Sequence, residues 1–351
     1  MNKVAPHDAI VVGGGQSGLA AAWALRSRGL EPVVLERDPE PVGSWPHYYD
    51  SLTLFSPARY SALPGQLFPG DPDHYPTRDE VVDYLRGYAK HLDADIRTAT
   101  HVTAVRLEAG TYTVSAADGS EVSAALVIAA TGGFGRPHIP ALPGLDTFTG
   151  EIIHVSQYRE PRIMAGRRVV VVGAGNSAVQ VAVELAELAD VSLATRKPVR
   201  YMPQRPLGKD IHFWFGRTGI DTAPIGRLLK HPPTAPVLDT GIYRDAVRSA
   251  RPDCRPMFER AEHDTVVWSD GSREHVDTIL LATGYRPDLD YLVPLGALDA
   301  TGAPLQRRGL ATTQPGLGYV GLEWQRALSS ASLRGVGRDA AYVVNRLLRH
   351  G

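Results

Sequence analysis

The chain spells one local plan twice. Ala9-Ile10-Val11-Val12 runs into Gly13-Gly14-Gly15-Gln16-Ser17-Gly18, and Val169-Val170-Val171-Val172 runs into Gly173-Ala174-Gly175-Asn176-Ser177-Ala178. In each copy a β-branched run too short for a helix meets a glycine cluster, and an alanine-rich, helix-favouring stretch follows, Leu19–Leu25 or Val179–Ala189. The pattern predicts strand, tight turn and helix, twice. A second pair of segments repeats the match: Asp118-Gly119-Ser120 leads to Ala130-Thr131-Gly132, and Asp270-Gly271-Ser272 leads over the same interval to Ala282-Thr283-Gly284. Asp-Gly between β-rich runs is a hairpin signal. The fold class is therefore α/β, with two Rossmann-like dinucleotide-binding domains, each a parallel sheet plus a small antiparallel meander.

The Pro- and Gly-rich segment Arg136–Gly144 and the later Arg286-Pro287-Asp288 read as two crossovers between the halves. The chain would then leave the first domain, build the second and return. The first domain is expected over 1–150 and 285–351, the second over 151–284. A closing helix is expected over Arg338–Leu348, with arginines in its last turn to suit the helix dipole.

Glycine turns of this kind let a pyrophosphate approach the N–H groups that open the next helix. Gly13, Gly15 and Gly18 fill the three positions in the first copy; Gly173, Gly175 and Ala178 fill them in the second, with Gln16, Ser17, Asn176 and Ser177 between. The residue that ends the following strand separates the ligands. Glu36, beside Arg37, would accept bonds from ribose hydroxyls and repel a 2′-phosphate. Arg196 stands at the equivalent place in the second copy and would grip a 2′-phosphate, with Thr195 and Lys197 adding to it. The first site thus reads as FAD and the second as NADPH. The alternative for Arg196 is a solvated arginine at a strand end.

The rest of the composition is restrictive mainly by what it lacks. A formal net charge of −1 with scattered basic residues favours neither nucleic acid nor an anionic membrane as partner. The apolar runs are too short to cross a bilayer. The start, Met1–His7, lacks the pattern of a signal peptide, so the cytoplasm is expected. A single cysteine, Cys254, leaves no partner within the chain for a disulfide or a two-cysteine relay, and the histidines do not cluster as metal ligands.

Between the two fingerprints lies Phe148-x-Gly150-xxx-His154-xxx-Tyr158, and with it the chain resembles the flavin-containing monooxygenases of the class B flavoproteins, short bacterial type. The resemblance extends to Gly43-Ser44-Trp45, both Ala-Thr-Gly segments and Ala282–Asp288. It implies FAD reduced by NADPH, O2 captured as a C4a-(hydro)peroxyflavin, and transfer of one oxygen atom to a small soft nucleophile. It places Ser44 and Trp45 near the flavin, a core tryptophan being the alternative for Trp45, with Thr131, Gly132, Thr283 and Gly284 at the strand ends. Gly321 and Leu322 would stand where a returning strand meets the flavin pyrimidine. His154 would couple the domains and position the nicotinamide nucleotide, or else be a hydrogen-bonded structural histidine. Relatives suggest a homodimer.

Larger relatives carry an asparagine, which helps organise the peroxyflavin and NADP+, in the loop that Leu54-Phe55-Ser56-Pro57 matches, so the resemblance places this loop against the flavin with Phe55 where a hydrogen-bond donor is expected. Three functions stay open: a monooxygenase of sulfides and amines, an NADPH oxidase or NADPH:acceptor reductase, and a sensor that keeps FAD without turnover.

Overall fold

The computed structural model describes residues 7–226 and 235–350. Strand β1 (His7–Val12) feeds helix α1 (Gln16–Arg26) and strand β2 (Pro32–Leu35). Helix α2 (Arg78–Leu92) then starts at a capping box, in which Thr77 and Glu80 satisfy each other's backbone N–H groups, and leads to β3 (Asp95–Arg97). A meander of β4 (Val102–Glu108), β5 (Thr111–Ala116) and β6 (Glu121–Ala129) follows. Its last strand enters the parallel sheet beside β1. The side chains of β1 alternate as a doubly covered strand requires. Ala9 and Val11 pack under the helices, while Ile10 and Val12 pack under the meander. Each fully buried valine or isoleucine of this kind contributes about 1.5–3 kcal/mol.

A two-residue strand, β7 (Arg136–Pro137), opens the first crossover. The second sheet then forms from β8 (Glu151–His154), β9 (Arg168–Val172), helix α3 (Asn176–Leu185) and β10 (Asp190–Thr195). Three further elements, unmatched in the first half, come next, β11 (Tyr201–Pro203), α4 (Ile211–Thr218) and β12 (Val237–Asp239), and then α5 (Ile242–Arg248), which packs on α3 as α2 packs on α1. Strand β13 (Asp253–Pro256) joins the sheet edge, and β14 (Arg260–Glu262), β15 (Thr265–Val267) and β16 (Arg273–His275) make a separate antiparallel meander. Strand β17 (Thr278–Leu281) completes an all-parallel sheet in the order β13-β10-β9-β17-β8. Its two faces are buried under α3 on one side and under Phe258, Val266 and Trp268 of the meander on the other.

The chain then returns through β18 (Tyr285–Arg286), β19 (Gln306–Arg307), β20 (Leu310–Ala311) and β21 (Leu317–Tyr319) to helix α6 (Leu333–His350). Strand β21 pairs in parallel with β6, so the first sheet runs β3-β2-β1-β6-β21 in its parallel part, the same order as the second. Both Asp-Gly hairpins form as expected: Oδ1 of Asp118 accepts the Ser120 N–H at 2.9 Å, and Oδ1 of Asp270 accepts the Ser272 N–H at 2.9 Å. The two crossover segments pair with each other, β7 against β18, and Arg136 ties them to Asp288 at 2.8 Å and Asp290 at 2.7 Å. The last helix begins earlier than the expected Arg338. A turn through Ser329–Ser332, in which the Ser332 hydroxyl donates to the Ser329 carbonyl at 2.7 Å, already delivers helical backbone to Leu333.

Candidate active site

Both glycine turns open onto one cavity of about 1290 Å³. At Gly13 the backbone takes φ +101°, and a Cβ there would sit 2.8 Å from the Ala130 carbonyl, so only glycine closes this turn. Gly15 faces Gly43 across a narrow gap, where a Cβ would lie 3.0 Å from the Gly43 Cα. Helices α1 and α3 begin at Gly15 and Gly175 with no side-chain cap and no acidic residue in the first turn. Two uncapped helix N-termini at one cavity suit the phosphates of two dinucleotides. The volume also exceeds the roughly 300–1,000 Å³ of a pocket for one drug-sized ligand.

Of the residues singled out in the first half, Gly13, Gly15, Gln16, Ser17, Glu36, Arg37, Ser44, Trp45, Phe55, Thr131, Gly132 and Gly321 line this cavity. The Trp45 indole donates to Gln16 Oε1 at 3.1 Å, and Gln16 Nε2 donates to the Ala331 carbonyl at 2.7 Å. That chain fixes the tryptophan and the C-terminal segment to the start of α1. From the second half, Gly175, Asn176, Ser177, Ala178 and Gly284 are in the wall. Asn176 binds the inserted segment, its Oδ1 accepting the Leu238 N–H at 3.2 Å.

Other expected residues stand elsewhere. Gly18 and Gly173 lie behind the turns, packed against backbone carbonyls of Gly13 and Ala282. Leu322 is a core residue under the first sheet, and the Thr283 hydroxyl donates to the His138 carbonyl at 2.5 Å. Thr195 is buried and its hydroxyl bonds Cys254, which withdraws it from any phosphate grip. Arg196 and Lys197 are exposed beside the strand end and are not in the cavity wall, an exposure that a coenzyme-facing pair and a solvated strand end share.

His154 is not in the cavity wall. Its Nε2 is 3.0 Å from the Gly284 carbonyl, its Nδ1 is 3.0 Å from the Ser156 hydroxyl, and burial holds it below the ordinary histidine range. With both ring nitrogens engaged by protein, it has no atom left for proton transfer to a ligand. The geometry gives it the structural alternative: it ties the end of β8 to the turn at Gly284. The rest of its motif is built the same way. A Cβ at Gly150 would sit 2.7 Å from the Asp277 carbonyl, and the Tyr158 hydroxyl donates to Glu184 at 2.9 Å on α3.

The segment after β10 supplies a further part of the wall: Arg200, Met202, His212, Phe215, Ile220, Ile225 and Leu238. None of these was legible as a site residue, since they have no counterpart in the first copy. The one local signal is Asp210 before Ile211-His212-Phe213, an N-cap pattern whose carboxylate also meets His212.

A family model for pyridine nucleotide-disulphide oxidoreductases matches residues 10–211. A CzcO-like oxidoreductase of Geobacillus kaustophilus is 33% identical over 98% of this chain and 99% of that protein. The indole-3-pyruvate monooxygenase YUCCA1 of Oryza sativa subsp. japonica is 32% identical over 80% of this chain and 77% of its own. The solved flavin-containing monooxygenase of Stenotrophomonas maltophilia aligns over 99% of both chains, with 30% identity and a TM-score of 0.87. The chain belongs to the flavin-containing monooxygenase family. This flavin-containing monooxygenase is thus a flavin-dependent oxidoreductase, and its cofactors are FAD and a pyridine dinucleotide. Among the described residues, no helix is long and apolar enough to cross a membrane.

Proposed function

We propose that this flavin-containing monooxygenase uses NADPH and inserts one oxygen atom of O2 into small soft nucleophiles, sulfides and amines. The single observation that carries the reading is the continuous cavity that joins both uncapped helix N-termini to the mostly apolar wall of the inserted segment. Residues 1–150 and 285–351 would hold FAD, through Gly15, Ser17, Glu36 and the Gly321 turn. Residues 151–284 would hold NADPH, through Gly175, Asn176, Ser177 and Arg196. Burial, and then the neighbouring guanidinium groups of Arg286 and Arg196, hold His138 below its usual range. Neither arginine has a carboxylate within ion-pair distance among the described residues. Uncompensated arginines at this strand end favour a 2′-phosphate and hence NADPH.

Bound FAD supplies the redox chemistry, taking hydride from the nicotinamide and passing electrons to O2. The protein's part is placement and exclusion of water. Trp45, held by Gln16, would border the flavin, and Asn176, bonded to Leu238, would hold the inserted segment beside the coenzyme. The apolar chamber keeps solvent from the reacting atoms. Isotopically labelled O2, with NADPH consumption followed over a panel of sulfides and amines, tests the reading. Label in the product supports it, and NADPH-driven flavin reduction with no labelled product from either class overturns it. Phe55 favours one other outcome. It lines the cavity with no polar side-chain atom, so part of the NADPH oxidation is expected to end in hydrogen peroxide.

A further inference from the structure

Asp210 and His212 form a buried pair on the inserted segment. Asp210 caps α4: its Oδ1 accepts the backbone N–H of His212 at 2.8 Å and lies 2.7 Å from Nδ1 of the same residue. Its Oδ2 accepts the Tyr75 hydroxyl at 2.5 Å and Gln204 Nε2 at 2.7 Å. Burial opposes ionisation of this carboxyl, but the donors from His212, Tyr75 and Gln204 outweigh it and bring it down to about 2. An ionised carboxylate only accepts, so Nδ1 carries the proton of the neutral imidazole and Nε2 keeps its lone pair.

His212 is 3% exposed and belongs to the cavity wall. Nε2 has no hydrogen-bond partner among the described residues, and the residue lines the cavity. The ring packs against Phe215 at 5.5 Å and Tyr60 at 6.2 Å, and Arg205 lies beyond, over the Tyr75 ring. The same Gln204 amide nitrogen that holds Asp210 also donates to the Phe55 carbonyl at 2.9 Å. The imidazole is therefore tied to the loop that faces the flavin in the reading above. The other ionisable groups in this part of the wall are Arg200, Glu323 and Arg334, the last bonded to Asp221 at 2.9 Å.

Resting on the monooxygenase reading, we propose that His212 is a catalytic base whose Nε2 takes a proton from an amine substrate that arrives as its ammonium ion. The N–H bond of the ammonium breaks, the proton passes to Nε2, and the electron pair stays on nitrogen as the nucleophile. Asp210 acts as a positioning residue, holding the ring through Nδ1–H and offsetting the imidazolium charge. Oxygenation of a neutral tertiary amine consumes NADPH, O2 and one proton and yields amine oxide, NADP+ and water. The proton parked on His212 is the one this balance requires, so the imidazole is neutral again after each turnover. A sulfide brings no proton and gains nothing from Nε2. The neighbouring apolar wall, with Met202, Phe215, Ile220 and Leu238, disfavours a desolvated cation and adds to the drive for its deprotonation.

The test compares N,N-dimethylbenzylamine with its isostere benzyl methyl sulfide on the FAD-loaded protein. NMR of the histidine ring nitrogens, with His212 assigned by subtraction of His212→Gln, reads the proton without turnover. The expected result is a ring protonated at Nδ1 alone in the free protein, which gains a proton at Nε2 when the amine saturates it and gains none with the sulfide. In kinetics, His212→Gln should lower kcat/KM for the amine on the order of 100-fold more than for the sulfide, with a pH profile that climbs with the free-amine fraction. Asp210→Asn should keep the imidazole but shift its tautomer signal and lower the amine rate less. A ring that stays neutral with amine bound, or equal losses for both substrates, overturns the proposal. Absence of label from O2 in both products would overturn the monooxygenase reading instead, while the NMR result still decides the role of His212.

Discussion

Glu36 Oε2 accepts the backbone N–H of Gly14 at 2.5 Å, so the carboxylate that ends β2 is clamped onto the turn that ends β1. Its other oxygen takes the Asp38 N–H at 2.8 Å. Burial pushes this carboxyl above its ordinary range, against the pull of the Asp38 and Gly14 donors. The clamp sets a buried acceptor at the cavity wall beside the uncapped start of α1. In the proposed FAD site, phosphate donors and ribose acceptor would thus be fixed relative to each other before any ligand arrives.

The first expected outcome follows from that clamp. A hydrogen bond to a charged group contributes about 1.5–3 kcal/mol, or roughly tenfold to hundredfold in affinity. Glu36→Ala should weaken FAD binding by that factor in a fluorescence titration of the apoprotein. Unchanged affinity would remove Glu36 from the FAD site.

Arg196→Ala should raise the KM for NADPH by roughly tenfold to hundredfold, because the same charge-assisted bonds to a 2′-phosphate are lost. The value for NADH should move much less, since NADH has no such phosphate. Steady-state kinetics with both coenzymes decides it. Equal losses would make Arg196 a structural residue of the strand end.

The glycine turns and Asp-Gly hairpins were legible because their signals are local. Gly13 needs its positive φ for a turn made within a few residues, and Asp118 and Asp270 close their hairpins two residues away. Long-range partners were not legible. The role of His154 depends on the Gly284 carbonyl, 130 residues distant in sequence, and the pairing of β7 with β18 spans a similar gap. Thr195 looked available beside Arg196, but strand alternation turns its hydroxyl inward to Cys254. The segment that carries Asp210 and His212 has no partner in the first half, so the duplication that exposed the glycine turns was silent there.

Asp210 gives the chain a pH signature. Its folded value of about 2 lies below the usual 3.8, so the ionised carboxylate stabilises the fold above about pH 3.8. As pH falls from there toward about 2 the unfolded chain is protonated first, and the advantage disappears. Asp210→Asn should therefore lower the unfolding free energy at neutral pH, read from urea titration, by on the order of 1 kcal/mol once solvent screening is allowed for. The gap from the parent protein should narrow as the pH approaches about 2. A gap independent of pH would assign the loss to altered geometry.

Phe55 tests the mechanism. Its carbonyl is held by Gln204, and the residue lines the cavity on the loop that the resemblance places against the flavin. An oxygen-transferring site must exclude water and also offer donors to the oxygen being transferred. Phenylalanine gives the first and withholds the second. NADPH oxidation without substrate is therefore expected to be appreciable, with hydrogen peroxide as its product. Phe55→Asn restores a donor at the same place, and the peroxide formed per NADPH should fall by severalfold, while the share of labelled oxygen reaching substrate rises. Parallel assays of NADPH, peroxide and oxygenated product measure all three. If the peroxide yield does not change, the loop is not where O2 reacts. If the parent protein already couples NADPH to product without leak, the donor comes from another group, and Nε2 of His212, once protonated, is the candidate the geometry offers.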